Sequence, residues 1–258
     1  MQPIAVPTLT AARTQRLEQL LPEQYALDLL QIQENAGRNL AEMARVLLEQ
    51  DILDRPIVLL AGRGNNGAVG MVAARHLLNW GADIQVLCSD APEDYQGVPA
   101  QQLRTLQAMG APLAWAEEGW ELPPCDLVID AIIGYGLRSD PHEDIHGRAR
   151  DLIQLANSAM APILSLDAPS GLDSDTGTVY TPCIQATATL CMGLPQQGLA
   201  TATGAAVCGE LFVGDVGIPA ALYADLEMDA DVPWLFSRRA IVPLRVEAGT
   251  FWIEPTEQ

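Results

Sequence analysis

Short apolar runs alternate along most of the chain with stretches whose apolar residues recur every three or four positions. Wholly apolar runs of four or five residues are typical of parallel strands that are buried on both faces of a sheet. Residues 57–61 form such a run, and the mostly apolar stretches 84–87, 127–130 and 163–167 are predicted as further strands. Two later stretches, 188–192 and 210–213, are predicted as strands near one edge. Helical spacing follows Gly67 and fills residues 98–109 and 148–159. The pattern therefore predicts repeated strand–helix units.

The first fifty residues show helical spacing without an apolar run. Thr10 precedes many good helix formers and is predicted to cap the first helix, and the apolar positions that recur are Leu40, Met43, Ala44, Leu47 and Leu48. Repeated strand–helix units require a parallel sheet, because right-handed crossovers place the helices on both of its faces. We predict the α/β class, with a three-layer, Rossmann-like, doubly wound and mostly parallel sheet and an N-terminal helical layer.

The length of the chain favours one domain. With 258 residues, of which 49% are hydrophobic, residues 1–258 can form a full core as a single α/β unit. The tail after Tyr223 has a mixed pattern, and Pro233, Pro243 and Pro255 argue against a long terminal helix there.

The charge and hydropathy of the chain argue against nucleic acid and membranes as binding partners. The formal net charge is −19, and all 14 basic residues are arginines, so the chain is expected to repel phosphate backbones and not to bind nucleic acid. No segment approaches the roughly 18 apolar residues that span a bilayer, and the N-terminus lacks a signal-peptide pattern. The five cysteines are scattered and are expected to be reduced. A cytoplasmic protein without membrane contact is predicted.

A glycine-rich loop follows the first apolar run. Gly62, Gly64 and Gly67 fit the GxGxxG spacing, which lets a backbone approach a phosphate at a helix N-terminus. Asn65 and Asn66 add amide groups to the loop, either as ligand contacts or as simple loop caps. The spacing alone also fits an ordinary dehydrogenase, in which Asp90, at the end of the second strand, would hold a ribose.

Three polar residues follow other strands at what is predicted to be the same edge of the sheet. Asp130 closes one apolar run, Asp167 closes the next, and Ser170 follows in a Pro-Ser-Gly turn. In an open α/β sheet the carboxyl ends of the strands form the ligand crevice, although each Asp could instead cap a helix. The sequence therefore predicts a small-molecule site formed by these residues and the glycine loop.

Several segments, in matching order, resemble one family, the NAD(P)H-hydrate epimerases, also called the YjeF amino-terminal domain or apolipoprotein A-I-binding protein family. The matching segments are residues 34–38, 62–67, 128–136, 167–173, 194–199 and 215–219. The resemblance spans about residues 9 to 223 and leaves residues 224–258 as a C-terminal extension. It implies an isomerase that interconverts the R and S epimers of hydrated NADH and NADPH in nicotinamide nucleotide repair.

The resemblance also implies roles for individual residues. Potassium, a hard cation, would be held by Asn66, Asp130 and Ser170. Asp167 would be the catalytic acid/base and would also contact the substrate. The other substrate contacts implied are Asn65, Asn66, Gly67, Ala68, Val69, Gly134, Tyr135, Gly136, Leu137, Arg138, Ser139 and Asp140. A homodimer and a separate ATP- or ADP-dependent NAD(P)H-hydrate dehydratase are the implied partners.

The chain departs from the family pattern at the glycine loop. The family loop ends Gly-Gly-Asp-Gly, whereas this chain has Gly67-Ala68-Val69-Gly70 and so lacks the loop acid. Arg138 represents the basic residue of the middle loop, and Gln196 stands where many relatives have Lys. These changes favour, as the alternative to an active epimerase, a non-catalytic member that binds a nucleotide or metabolite.

Overall fold

The computed structural model describes residues 3–116, 120–137, 145–226, 228 and 235–253, which form one ten-stranded sheet with helices on both faces. The strands are β1 (Ile4–Val6), β2 (Pro56–Ala61), β3 (Asp83–Cys88), β4 (Leu113–Trp115), β5 (Leu127–Ala131), β6 (Ile163–Leu166), β7 (Ala188–Met192), β8 (Glu210–Gly214), β9 (Ile241–Glu247) and β10 (Thr250–Ile253). The helices are α1 (Ala11–Tyr25), α2 (Leu29–Leu47), α3 (Asn65–Asn79), α4 (Gly97–Ala108), α5 (Gly147–Ser158), α6 (Ala202–Cys208) and α7 (Ala220–Asp225).

The strand order is β1-β10-β9-β8-β7-β6-β5-β2-β3-β4, and the strands from β8 through to β4 pair in parallel. From β2 the chain builds outwards through β3 and β4, and then crosses to β5 and continues through β6, β7 and β8 in the other direction. The order therefore reverses between β2 and β5. In doubly wound sheets a ligand crevice opens at this point, outside the carboxyl ends of the strands. The predicted fold class is confirmed.

The N-terminal helical layer consists of α1 and α2. Thr10 caps α1 as predicted, since its side-chain oxygen accepts a hydrogen bond from Arg13 N at 3.2 Å. Helix α2 crosses α3 closely: a Cβ on Gly37 would lie 2.4 Å from the Cβ of Val72 and 2.9 Å from the carbonyl oxygen of Val69. Only glycine permits this separation, so the crossing fixes α2 against the N-terminal half of α3.

One edge of the sheet was not predicted. Residues 241–253 fold into the antiparallel pair β9 and β10, and β1 from the N-terminus pairs with β10. Pro243 is tolerated inside β9 because β10 pairs only with residues 245–247, so Pro243 has a paired strand on one side alone. The described part of the predicted C-terminal extension therefore adds two strands to the sheet.

Three clusters of buried apolar side chains surround the sheet. One includes α2, α3 and α4 on one face, a second packs around α5 on the other, and a third joins α1 to β7, β8, β9 and β10. No helix within the described ranges is both long enough and apolar enough to cross a membrane.

Candidate active site

A cavity of about 490 Å³ lies at the carboxyl ends of β2, β5 and β6, where the strand order reverses. The loops after β2, β5, β6 and β7 contribute to its wall, and α1 and α2 cover it from the N-terminal layer. Much of the wall is aliphatic. The predicted ligand crevice thus exists, and the N-terminal helices form part of it.

The glycine loop packs tightly against the neighbouring strand end. A Cβ on Gly62 would lie 2.0 Å from the carbonyl oxygen of Ile132, and a Cβ on Gly67 would lie 1.7 Å from the carbonyl oxygen of Gly62. Gly64 differs, because a Cβ there would meet no atom within 4 Å. The first and third glycines of the motif are therefore required for packing, and α3 begins directly after Gly64.

The two loop asparagines face different neighbours. The side-chain oxygen of Asn65 accepts a hydrogen bond from Gln33 Nε2 on α2 at 3.3 Å. Asn66 lies against Gly134, and its buried Nδ2 has no hydrogen-bond partner among the described residues. Buried amide groups are normally paired, so Asn66 is a candidate ligand contact.

Asp130 lies beneath the cavity with none of its surface exposed. Its Oδ2 accepts hydrogen bonds from Ser165 Oγ and Ser170 N, both at 2.9 Å. Its Oδ1 accepts hydrogen bonds from Ser170 Oγ at 2.5 Å and Ile132 N at 3.3 Å. Burial raises the pKa of the Asp130 carboxyl, and these donors act against that rise. The carboxylate joins the strand ends of β5 and β6.

Asp167 follows β6 and faces the cavity. It has a positive φ of 66°, in the left-handed region that few residues other than glycine, asparagine and aspartate adopt. Its side chain is 6% exposed, and Oδ2 accepts a hydrogen bond from Tyr135 N at 3.1 Å. Burial raises the pKa of the Asp167 carboxyl to about 6, and the charge of Glu18 contributes to the rise. A carboxyl with this pKa can both accept and donate a proton near neutral pH.

Glu18 is a cavity residue that sequence reasoning missed. It lies on α1, lines the cavity with Asp167 and Tyr135, and forms a hydrogen bond with the side chain of Tyr135. Burial raises the pKa of the Glu18 carboxyl, and that hydrogen bond lowers it. The sequence does contain a signal for Glu18, because it lies between the apolar residues Leu17 and Leu20 of a predicted helix. Acidic residues are rarely buried unless they are paired or functional.

Two glutamines also line the cavity, each with a side-chain oxygen that is buried and has no partner among the described residues. Gln33, on α2, is 2% exposed and donates to Asn65. Gln196, after β7, donates from Nε2 to Thr14 Oγ1 at 3.1 Å. Both unpartnered oxygens are candidate acceptors for a ligand in the cavity.

The predicted substrate contacts separate into three groups. Those that line the cavity are Asn65, Asn66, Val69, Gly134, Tyr135, Gly136 and Asp167. Three more, Gly67, Ala68 and Leu137, are not among the lining residues; Gly67 packs under Gly62, and Ala68 is fully buried in α3. The remaining three, Arg138, Ser139 and Asp140, lie outside the described residues.

The residue proposed for a dehydrogenase lies elsewhere. Asp90 accepts a short hydrogen bond from Ser89 Oγ and lies 4.0 Å from Arg63, and it does not line the cavity. The cavity described above therefore does not include the Asp90 carboxyl, which lies beside Arg63 of the glycine loop.

Sequence comparison places this geometry in a family. The model of the family described as "YjeF-related protein N-terminus" matches residues 30–198, which include the glycine loop, Asp130, Asp167 and Ser170. The chain belongs to this family. The family prediction made from the sequence motifs is thereby confirmed.

Named relatives cover most of this chain. An NAD(P)H-hydrate epimerase of Dehalogenimonas lykanthroporepellens is 35% identical over 228 residues, which are 86% of this chain and 84% of that protein. A bifunctional NAD(P)H-hydrate repair enzyme of Moorella thermoacetica is 36% identical over 248 residues, 93% of this chain. This chain spans 46% of the Moorella protein, about half of its length.

A solved structure supports the fold. The crystal structure of the yeast protein ynu0 superposes with a TM-score of 0.76 and covers 93% of this chain and 100% of its own. Its sequence is 21% identical, so the likeness concerns the fold alone.

Proposed function

We propose that this protein is an isomerase that interconverts the R and S epimers of hydrated NADH and NADPH. The observation that carries the proposal is Asp167, a buried carboxyl held in left-handed backbone at the end of β6, facing a cavity beside the glycine loop. Relatives at 31–36% identity have the name NAD(P)H-hydrate epimerase or bifunctional NAD(P)H-hydrate repair enzyme. The epimerase activity predicted from the sequence agrees with the position of Asp167 and with the names of these relatives.

The reaction inverts C6 of the hydrated nicotinamide ring, a carbon that bears a hydroxyl group. Inversion needs a group that gives and takes a proton next to that carbon. The backbone N–H of Tyr135 orients Asp167 from below, and burial keeps its pKa at about 6, so Asp167 exists in both protonation states near neutral pH. We assign the acid/base role to Asp167, and the loop 134–137 with Asn65 to substrate positioning.

We also propose a potassium site at Asn66, Asp130 and Ser170. The donor set fits a hard monovalent cation, since it combines an amide oxygen, a carboxylate and a hydroxyl. Ser170 Oγ already contacts Asp130 and the carbonyl oxygen of Ile133, at 3.1 Å from the latter. A bound cation would supply positive charge beside buried Asp130 and link the loops after β2, β5 and β6.

The direct test is to incubate the purified protein with the R epimer of hydrated NADH in potassium chloride and to follow the S epimer by chromatography. We expect conversion that greatly exceeds the spontaneous rate, and no enzyme-dependent conversion by the Asp167→Asn variant. Full activity of that variant would refute the assignment of Asp167. Absence of conversion by the wild-type protein would refute the proposed function.

One observation favours a second candidate, a non-catalytic member that binds a nucleotide or metabolite. Val69 lines the cavity at 8% exposure, at the position where the family loop has an acid. Binding of hydrated NADH by calorimetry without turnover would support this candidate over the epimerase.

The remaining expectations concern partners and place in the cell. The Moorella relative is bifunctional by name, which fits a second repair activity acting with the epimerase, and we propose an ATP- or ADP-dependent NAD(P)H-hydrate dehydratase as the protein that consumes the S epimer. The homodimer and the cytoplasmic location stay predictions.

A further inference from the structure

A second carboxyl group faces the cavity from the side of the helical layer. Asp167 comes from the floor, at the end of β6, whereas Glu18 comes from α1, which covers the cavity. The two groups are close enough for the Glu18 carboxylate to raise the pKa of Asp167. They are the two carboxyl side chains among the described lining residues.

Tyr135 connects the two carboxyls. Its backbone N–H donates to Asp167 Oδ2 at 3.1 Å, and its side chain forms a hydrogen bond with the carboxyl of Glu18. The residue itself lines the cavity and follows Gly134, in the loop after β5. Tyr135 therefore contacts both carboxyls, Asp167 through its backbone N–H and Glu18 through its side chain, and all three residues line the cavity.

We propose that Glu18, oriented by Tyr135, is the second proton-transfer residue of the proposed epimerase and acts on the face of the substrate ring opposite to Asp167. The inference rests on the proposed function. Because the enzyme must accept both R and S epimers, each carboxyl serves as the acid in one direction and as the base in the other.

The step balances without a further reactant. The protonated carboxyl gives its proton to the C6 hydroxyl, the C6–O bond breaks with its electron pair leaving as water, and the lone pair of ring nitrogen N1 forms a C6=N1 double bond. Water then adds to the opposite face of C6, gives its proton to the other carboxylate, and the C6=N1 pair returns to N1. One proton has then passed from one carboxyl to the other, and proton exchange with solvent returns both carboxyls to their starting protonation states.

The composition of the wall supports a cationic intermediate. The described lining includes the carboxyls of Glu18 and Asp167 and no Lys, Arg or His side chain. Much of the remaining wall is aliphatic, with Leu17, Leu21 and Ile32 beside Glu18 in the helical layer. Positive charge on the ring is favoured near carboxylates in a wall of low polarity, where electrostatic interactions are stronger than in water.

The test compares Glu18→Gln with Glu23→Gln, a control on the same helix whose exposed side chain does not line the cavity. For Glu18→Gln we expect kcat to fall by about 10²- to 10³-fold with KM changed less than about threefold, as removal of a general acid or base predicts. The pH profile of kcat should lose one of its two limbs. The control should retain wild-type kcat and KM, and circular dichroism should show that both variants fold.

Two further measurements address the pathway and the geometry. In water enriched in ¹⁸O, the first turnovers should place the label in the C6 hydroxyl of the product, and product without label would overturn the proposed step. Carboxyl NMR of the folded protein should show a lower pKa of Asp167 in Glu18→Gln, since a neighbouring negative charge is gone.

The outcomes separate the two proposals. A wild-type protein without epimerase activity refutes the proposed function. An active wild-type protein whose Glu18→Gln variant keeps its kcat and both limbs of its pH profile refutes the role of Glu18 and leaves Asp167 and the proposed function standing.

Discussion

Replacement of Asp167 by Asn should make the protein more stable as well as inactive. Burial raises the pKa of the Asp167 carboxyl from 3.8 to about 6. Because one pKa unit corresponds to about 1.4 kcal/mol, the ionised carboxyl costs the folded state up to about 3 kcal/mol at pH 7.5. Asn has the same shape, tolerates the left-handed backbone and can accept the hydrogen bond from Tyr135 N, but its amide nitrogen cannot accept the backbone hydrogen bond from Met192, which reduces the gain.

The pH dependence follows from the sign of this shift. Between about pH 4 and pH 6 the folded carboxyl binds more protons than the unfolded one, so its contribution to the free energy of unfolding falls as the pH rises through this window. At pH 4 the folded carboxyl is protonated and the unfolded one is only partly ionised, so ionisation costs the folded state less than about 1 kcal/mol and the variant should gain little. At pH 7.5 we expect Asp167→Asn to be about 1 to 3 kcal/mol more stable than wild type, the range allowing for an imperfect amide fit.

Urea unfolding at several pH values, followed by tryptophan fluorescence, measures this difference directly. Asp151→Asn, which removes an exposed carboxylate from α5, is the matched control and should change stability by less than about 0.5 kcal/mol. A variant that is less stable than wild type at pH 7.5, or a difference that does not grow between pH 4 and pH 7.5, would refute the reasoning. The stability that Asp167→Asn is predicted to gain equals the stability that the wild-type protein loses by burying the Asp167 carboxylate.

Three further predictions concern the floor of the cavity. Asp130→Asn should cost about 2–4 kcal/mol in urea unfolding, because whichever oxygen becomes an amide, either Ser170 N or Ile132 N loses its acceptor; a stability equal to wild type would contradict this. Gly62→Ala should lower the free energy of unfolding by about 2 kcal/mol or more. Gly64→Ala, whose Cβ would enter open space, should change it by less than about 0.5 kcal/mol, and equal effects of the two variants would contradict this prediction. Potassium chloride should raise the melting temperature above that in tetramethylammonium chloride at equal ionic strength, and Asp130→Asn should abolish the difference.

The main elements and the position of the site could be predicted from local patterns. The strands β2, β5 and β6 are buried on both faces and so consist mainly of apolar residues, and parallel strands place their carboxyl ends on one edge. Asp130, Asp167 and Ser170 follow from these two rules. The short strands β1 and β10 have no such signal, because their pairing joins opposite ends of the chain.

Side-chain contacts across the layers could not be predicted in the same way. Glu18 lines the cavity only because α1 covers it, and Tyr135 meets both carboxyls only because the loop after β5 and α1 line the same cavity. A helix pattern shows which side of α1 is buried. It does not show which strand end that side covers, so the sequence identified Asp167 and missed Glu18.

The missing loop acid is therefore weaker grounds for inactivity than the sequence alone indicated. Val69 lies in the N-terminal half of α3, where Gly37 of α2 packs closely against the Val69 backbone. A carboxylate at 8% exposure would need a hydrogen-bond donor. In the same cavity wall, Gln33 on α2 donates to Asn65 and keeps a buried side-chain oxygen without a partner among the described residues. Hydrogen-bonding capacity for a ligand thus persists without the acid. The carboxyls to which we assign proton transfer, Asp167 and Glu18, belong to other elements and do not depend on Val69.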